Sequence, residues 1–219
     1  IARWQAVGFA HGVLNTDNMS VHGVTLDYGP FGFVEQFDPQ YICNHSDHQG
    51  RYAFNKQPEI GLFNLRCLAQ ALLPIIHEDT DEAVKLAQEA LAKYQEIFVT
   101  YYAELMSAKL GLSKTEDGDQ LLLTSLLELL EANHVDYTLF FRRLSQLLTD
   151  EDKSSCRDLF IDRVSFDQWL LKYENRLTRE NIFPELRSEQ MKKVNPKFIL
   201  RNYMAEIAIR KAQDENDYS

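Results

Sequence analysis

The sequence predicts a mainly helical protein with a small β-hairpin near its start. From residue 58 onward, apolar side chains recur at the spacing of helices that bury one face. The earlier part of the chain is rich in turn-forming residues and has one short apolar stretch, Val21 to Leu26, with Gly23 as a turn. We therefore expect a hairpin with arms at residues 19–22 and 24–27, followed by a helical bundle.

Helix starts and ends follow from capping residues. We expect a first helix over residues 1–10 that Gly12 ends, and a long helix that starts at the Asp79–Thr80 cap and ends at Gly111. The segment from Tyr28 to Pro58 has no lasting periodicity and is predicted to be a long functional loop. The remaining predicted helices cover residues 59–76, 118–132, 136–148 and 165–179, with a last one that begins at Pro196.

Composition excludes several classes of function. A net charge of -10 and a pI near 5.1 argue against a nucleic-acid partner and against a binder of anionic membranes. Three cysteines are too few for a disulfide framework, and no uninterrupted apolar run reaches the ~18 residues of a membrane span. The chain opens in mid-helix without an initiator Met, so we expect it to be part of a longer protein.

In one polar loop, the candidate residues are spaced like those with which protein kinases hold a nucleotide-bound metal ion. Asn18 follows His11 by seven residues, as in H-R-D-x-x-x-x-N, and Asp27 opens a turn of the D-F-G type. Val13 stands where the catalytic Asp belongs, and a valine cannot accept a proton. The nearest carboxylate is Asp17, which we take as the candidate base.

Four runs near the start resemble the selenoprotein O family, called SelO, or YdiU in bacteria. They read HGVLNTDNMS, LDYGPFGF, ICNHSDHQGRYAFNKQP and NLRCLAQAL, and NPKFILRNYMAEIAI near the end resembles the family too. The resemblance implies a kinase-like fold that lacks the usual catalytic Asp and transfers AMP from ATP to Ser, Thr or Tyr hydroxyls of proteins. It implies Asp17 as proton acceptor, Asn18 and Asp27 as ligands of Mg²⁺ or Mn²⁺, and Asp27 beside the nucleotide phosphates.

The resemblance also implies a domain organisation. Residues 1–219 would form a single C-terminal lobe, with catalytic loop, hairpin and activation-like segment in 1–57 and the helical bundle in 58–219. Family members carry a preceding nucleotide-binding lobe that this sequence lacks, so we expect the 219-residue chain alone to be inactive. The expected location is cytoplasmic in a bacterium and mitochondrial in a eukaryote.

Two rival functions stay open. A kinase-fold phosphotransferase for small molecules, of the choline or aminoglycoside type, would keep an Asp at the place of Val13. A pseudokinase scaffold without catalysis would bind partners through its helices and its long loop. Metal-dependent nucleotide binding by the complete protein would distinguish both enzymes from this scaffold.

A cluster of possible zinc ligands lies in the long loop. Cys43, His45, Asp47 and His48 fall within six residues, but no second segment supplies the other ligands that a zinc site needs. We expect exposed loop residues, or a segment that contacts the protein substrate, and no zinc site. The resemblance implies redox regulation through a cysteine here, which would be Cys43.

Overall fold

The computed structural model describes residues 1–219 and is mainly α-helical, as the sequence predicts. The helices are α1 (Ala2–Val7), α2 (Gln57–Ile76), α3 (Thr80–Lys109), α4 (Asp119–Ala132), α5 (Tyr137–Leu144), α6 (Asp150–Arg157), α7 (Arg163–Leu177), α8 (Pro184–Val194) and α9 (Asn202–Asp214). Two 3₁₀ turns lie at Thr16–Asn18 and Phe54–Lys56, and strands β1 (Phe9–Ala10) and β2 (Gly32–Phe33) pair as a two-stranded sheet.

The chain divides into two compact units. The first comprises Ile1–Ala6, Ala10–Phe31 and Pro39–Leu105, and it contains every residue of the candidate site. The second comprises Val7–Phe9, Gly32–Asp38 and Met106–Ser219. The single-lobe organisation that the resemblance implies stays a prediction.

In the first unit, α2 packs closely on its neighbours. The Tyr94 hydroxyl of α3 donates to the Pro58 carbonyl at 2.9 Å. A Cβ on Gly61 would lie 2.2 Å from Ile1 Cδ1 and 2.8 Å from the same hydroxyl oxygen, so a larger residue would displace these side chains. The side chain of Gln5 in α1 donates to the Phe54 carbonyl at 2.6 Å, which fixes the start of α2.

The second unit is built on an aromatic core. Its rings include Phe140, Phe141, Phe160, Phe166, Trp169 and Tyr173, all of them buried. Trp169 in α7 donates its indole N–H to the Leu122 carbonyl of α4 at 3.0 Å, and Tyr173 donates to the Leu110 carbonyl at 2.8 Å. The polar tips of these large rings are thus hydrogen-bonded, as burial of such groups requires.

The predicted hairpin is wrong in extent. Residues 19–27 form one isolated bridge, Met19 to Thr25, and the sheet of the protein is made by β1 and β2 instead. The apolar residues that suggested strands have no partner face to cover them, because Val21 is 77% and Val24 58% exposed. A short hairpin without a buried face is only marginally stable, which explains the loss of regular pairing.

Several helix predictions also need correction. The first helix ends at Val7, because Gly8 takes a positive φ of 75° and residues 9–10 form β1. The last helix begins at Asn202 and not at Pro196. Helices α6 and α8 were not predicted, because few apolar residues mark a face in either; α6 starts instead with a capping box between Thr149 and Asp152.

One helix has the length and composition of a membrane span, which the sequence analysis did not expect. The segment Phe54–Ile76 is 23 residues long and reaches a mean hydropathy of 1.4 over its most apolar window, 17% of which is buried. The two criteria differ: Asn64, Arg66 and Gln70 divide the helix into short apolar runs, whereas an average over a window tolerates them. Length and composition alone do not assign this helix to a membrane, since core helices pass the same test.

Candidate active site

His11 joins the polar loop to the segment that precedes Asp27. Its ring is fully buried, stacks on Trp4 with centroids 5.5 Å apart, and places Nε2 2.6 Å from the Leu26 carbonyl oxygen. The Val13 backbone N–H donates to Nδ1 at 3.4 Å. This pattern fits the neutral tautomer with hydrogen on Nε2, because one ring nitrogen donates while the other accepts.

Asn18 and Asp27 are brought together as the spacing of the sequence suggested. The side-chain amide of Asn18 donates to the Val13 carbonyl at 2.9 Å and to Asp27 Oδ2 at 3.2 Å. Asp27 has a φ of 56°, in the left-handed region that aspartate tolerates better than most residues. This backbone conformation and the Asn18 hydrogen bond together fix the carboxylate beside the loop.

Asp17 lies in the 3₁₀ turn directly before Asn18. The turn closes through the Asn18 backbone N–H, which donates to the Asn15 carbonyl at 3.1 Å. The side chain of Asp17 is exposed, so a substrate group can reach its carboxylate. The three candidate residues therefore belong to one surface of the first unit.

The donor atoms of this surface suit a hard divalent cation. Asn18 uses its amide nitrogen for both hydrogen bonds, which leaves its amide oxygen and the second Asp27 oxygen as oxygen donors. Mg²⁺ prefers such oxygen ligands and commonly binds through one or two protein groups plus phosphate oxygens and water. The chain has no cluster of three or more His, Cys, Asp or Glu side chains that could hold a metal ion by themselves.

The possible zinc ligands of the long loop have other contacts. Asp47 accepts the backbone N–H groups of Arg51 and Tyr52 at 2.9 and 2.7 Å, so its carboxylate orders a turn. Cys43 is half-buried, with Sγ 3.5 Å from the Ala10 carbonyl oxygen. These contacts hold Asp47 and Cys43 within the first unit.

Gln57 was missed by the sequence analysis. Its side chain is buried, and Oε1 accepts the His11 backbone N–H at 2.9 Å. The available signal was a glutamine directly before Pro58 at the start of α2, but helix propensity alone predicts an ordinary surface residue there. Gln57 thus attaches the polar loop to the start of α2.

We expect Gly12→Ala to destabilise the loop more than Gly23→Ala does. Both glycines have a positive φ, 82° and 70°, but a Cβ at Gly12 would lie 2.7 Å from Cys43 Sγ, whereas one at Gly23 meets nothing within 4 Å. The shared backbone strain costs about 1 kcal/mol, and the added collision about 1–2 kcal/mol more. Urea unfolding measures both variants, and equal losses would show that the contact with Cys43 carries no constraint.

Comparison with known proteins identifies the family. The family model described as protein adenylyltransferase SelO matches residues 1–219. The chain belongs to the SelO family. The resemblance found in the sequence motifs is thereby confirmed over the whole chain.

Curated relatives support the same assignment. Each of three bacterial proteins is named protein nucleotidyltransferase YdiU. The one from Aliivibrio salmonicida is 53% identical over 220 residues, covering 100% of this chain and 44% of that protein. Those from Herminiimonas arsenicoxydans and Thioalkalivibrio sulfidiphilus are each 51% identical, covering 99% and 100% of this chain and 43% and 44% of those proteins. The chain thus spans less than half the length of these SelO-family relatives.

Proposed function

We propose that this chain carries the metal-binding and proton-accepting part of a protein adenylyltransferase, which transfers AMP from ATP to hydroxyl side chains of proteins. The observation that carries the proposal is the hydrogen bond between Asn18 and Asp27, next to Asp17, in a chain of the SelO family. The activity is proposed for the full-length protein, because the matched relatives are more than twice as long.

The metal site of the proposal uses Asn18 and Asp27. Their two side-chain oxygens would hold Mg²⁺ or Mn²⁺, and the ion would neutralise negative charge on the phosphates of ATP. Asp27 would also lie beside these phosphates, as the resemblance to the SelO family implies. Phosphate oxygens and water would supply the remaining ligands.

In the proposed reaction Asp17 accepts the proton. Its exposed carboxylate would take the proton of the protein hydroxyl while the hydroxyl oxygen attacks the α-phosphorus of ATP. The new oxygen–phosphorus bond replaces the bond to pyrophosphate, which leaves with its electron pair. Val13 occupies the place where kinases carry their catalytic Asp, which argues against the small-molecule phosphotransferase.

The proposed fold is the C-terminal lobe of a kinase-like protein. Its support is the order of elements: a short helix, a polar loop, the acid Asp27, a long loop and then helices. A protein kinase has the same order at this part of its chain.

The proposed location depends on the organism: the cytoplasm in a bacterium and the mitochondrion in a eukaryote.

Release of pyrophosphate tests the proposed function. The full-length protein, given ATP, Mg²⁺ or Mn²⁺ and a protein acceptor, is expected to release pyrophosphate and to attach AMP covalently to the acceptor. Chelation of the metal should stop both. Release of ADP together with phosphorylated acceptor would favour the phosphotransferase. Absence of any product, together with nucleotide binding that does not depend on metal, would favour the scaffold.

Asp27→Ala is expected to weaken the binding of MgATP at least about tenfold, because a carboxylate ligand of the metal is lost. Isothermal titration calorimetry on the full-length protein measures the change. Glu59→Gln is the matched control, since Glu59 is an exposed carboxylate whose ion-pair partner is Lys56 at 3.3 Å. Equal affinities of the Asp27 variant and the control would remove Asp27 from the metal site.

A further inference from the structure

A buried amide on α2 holds the backbone of the polar loop. The side chain of Asn64 is 5% exposed, and its Nδ2 lies 3.0 Å from the Leu14 carbonyl oxygen and 3.3 Å from that of Asn15. Burial of an amide costs free energy unless its hydrogen bonds are made, so the folded state favours the position in which Asn64 keeps both contacts. Asn64 therefore fixes the loop to a long helix that lies about 50 residues away in sequence.

Two other side chains reach the same loop from the long segment before α2. Asn44 donates to the Gly12 carbonyl at 3.1 Å, and the Tyr52 hydroxyl donates to the side-chain oxygen of Asn15. Both are more exposed than Asn64. Asn64 is thus the inner contact of this set and the one best shielded from competing water.

The residue that Asn64 holds also closes the turn that contains Asp17. The Asn15 carbonyl oxygen accepts the Asn18 backbone N–H at 3.1 Å, and it receives the amide of Asn64 as well. A movement of Asn15 would therefore move the start of the Thr16–Asn18 turn. The proposed base and the proposed metal ligand would move with it.

We propose that Asn64 is a positioning residue for AMP transfer: it holds the Leu14 and Asn15 carbonyls and thereby fixes Asp17 relative to Asn18 and Asp27. The inference rests on the proposed function of this site. Asn64 is buried and its amide bonds to the backbone of the loop, so its loss should act on the chemical step more than on nucleotide affinity. Misplacement of a reacting group by about 1 Å can lower a rate by about 10²-fold.

Three variants of the full-length protein test this role. Asn64→Leu keeps a similar volume but removes the donor, whereas Asn64→Gln keeps an amide that can still reach a carbonyl. Asn133→Leu is the matched control, because Asn133 belongs to the second unit, is 7% exposed and donates to the Leu129 carbonyl at 2.9 Å while accepting the Asp162 N–H. The measurements are kcat, KM for MgATP, the thermal unfolding temperature, and amide hydrogen exchange of a peptide covering residues 11–18.

We expect both leucine variants to lower the unfolding temperature, but only Asn64→Leu to speed exchange in the loop and to lower kcat by about 10–100-fold with KM changed less than about threefold. Asn64→Gln should recover part of kcat. The role is refuted if exchange in the loop matches that of Asn133→Leu, or if exchange rises while kcat does not fall. Absence of AMP transfer by the wild-type protein would instead refute the proposed function, and the exchange result would still decide whether Asn64 holds the loop.

Discussion

Asp17→Asn in the full-length protein is expected to lower AMP transfer by about 10²–10⁴-fold while the affinity for MgATP stays within about twofold. The substitution keeps the shape of the side chain and removes the group that would accept the hydroxyl proton. Asp17 is exposed and shares its turn with Asn18, whose side chain makes the hydrogen bonds to Val13 and Asp27. The loss should therefore fall on kcat and not on binding.

Two comparisons make the Asp17 result specific. Glu59→Gln removes an exposed carboxylate of the same unit and should leave kcat unchanged. Asp27→Ala should weaken nucleotide binding, which Asp17→Asn should not. Full transfer activity in Asp17→Asn would exclude Asp17 as the base.

Lys109→Met is expected to stabilise the protein by about 1–3 kcal/mol near pH 7, because it removes a buried cation that has no ion-pair partner. The Lys109 side chain is 3% exposed and lies over the rings of Phe141 and Tyr137, with Nζ 4.1 and 5.3 Å from their centroids. Burial lowers the pKa of Lys109 from 10.5 to about 7. A methionine would keep the contact with both rings without the cost of burying a charge.

The pH dependence of unfolding gives a second signature of Lys109. Between about pH 7 and 10.5 the unfolded state holds a proton on Lys109 that the folded state has lost, so the free energy of unfolding rises with pH. The slope approaches about 1.4 kcal/mol per pH unit within this window and vanishes below it. Urea unfolding from pH 6.5 to 9.5 should show this rise in the wild type and lack it in Lys109→Met.

An exposed lysine supplies the control for that measurement. Lys85 pairs with Glu82 at 3.4 Å on the surface of α3, and its side chain is 62% exposed. Lys85→Met should leave the pH dependence unchanged, because a surface ion pair of this kind contributes little. A wild-type slope equal to that of Lys109→Met would show that Lys109 keeps its proton in the folded state.

Local signals in the sequence predicted the long helices well. The acidic cap before α3 and Gly111 after it place that helix within a residue or two, because caps satisfy backbone groups that a helix leaves unpaired. Helices α6 and α8 escaped because neither has a marked apolar stripe. The hairpin was overestimated, since the apolar residues Val21, Val24 and Leu26 indicate strands only if another surface covers one face.

Only part of the candidate site could be predicted from the sequence. Asn18 and Asp27 could be paired because their spacing has a recognised chemical use, and the structure places them in hydrogen-bond contact. Gln57 and Asn64 could not be found in this way. Their partners are backbone groups of His11, Leu14 and Asn15. Because nearly every residue type carries the same backbone groups, the sequence does not show which residue such a side chain contacts.

The transferred group tests the central claim most directly. The full-length protein is incubated with a protein acceptor and Mg²⁺ or Mn²⁺, in parallel reactions with ATP labelled at the α-phosphate or at the γ-phosphate. The proposed adenylyl transfer predicts that the α-label becomes covalently attached to protein, that the γ-label does not, and that Asp17→Asn slows the attachment by about 10²–10⁴-fold. Attachment of the γ-label alone would contradict the proposal, because it would show phosphoryl transfer by this site.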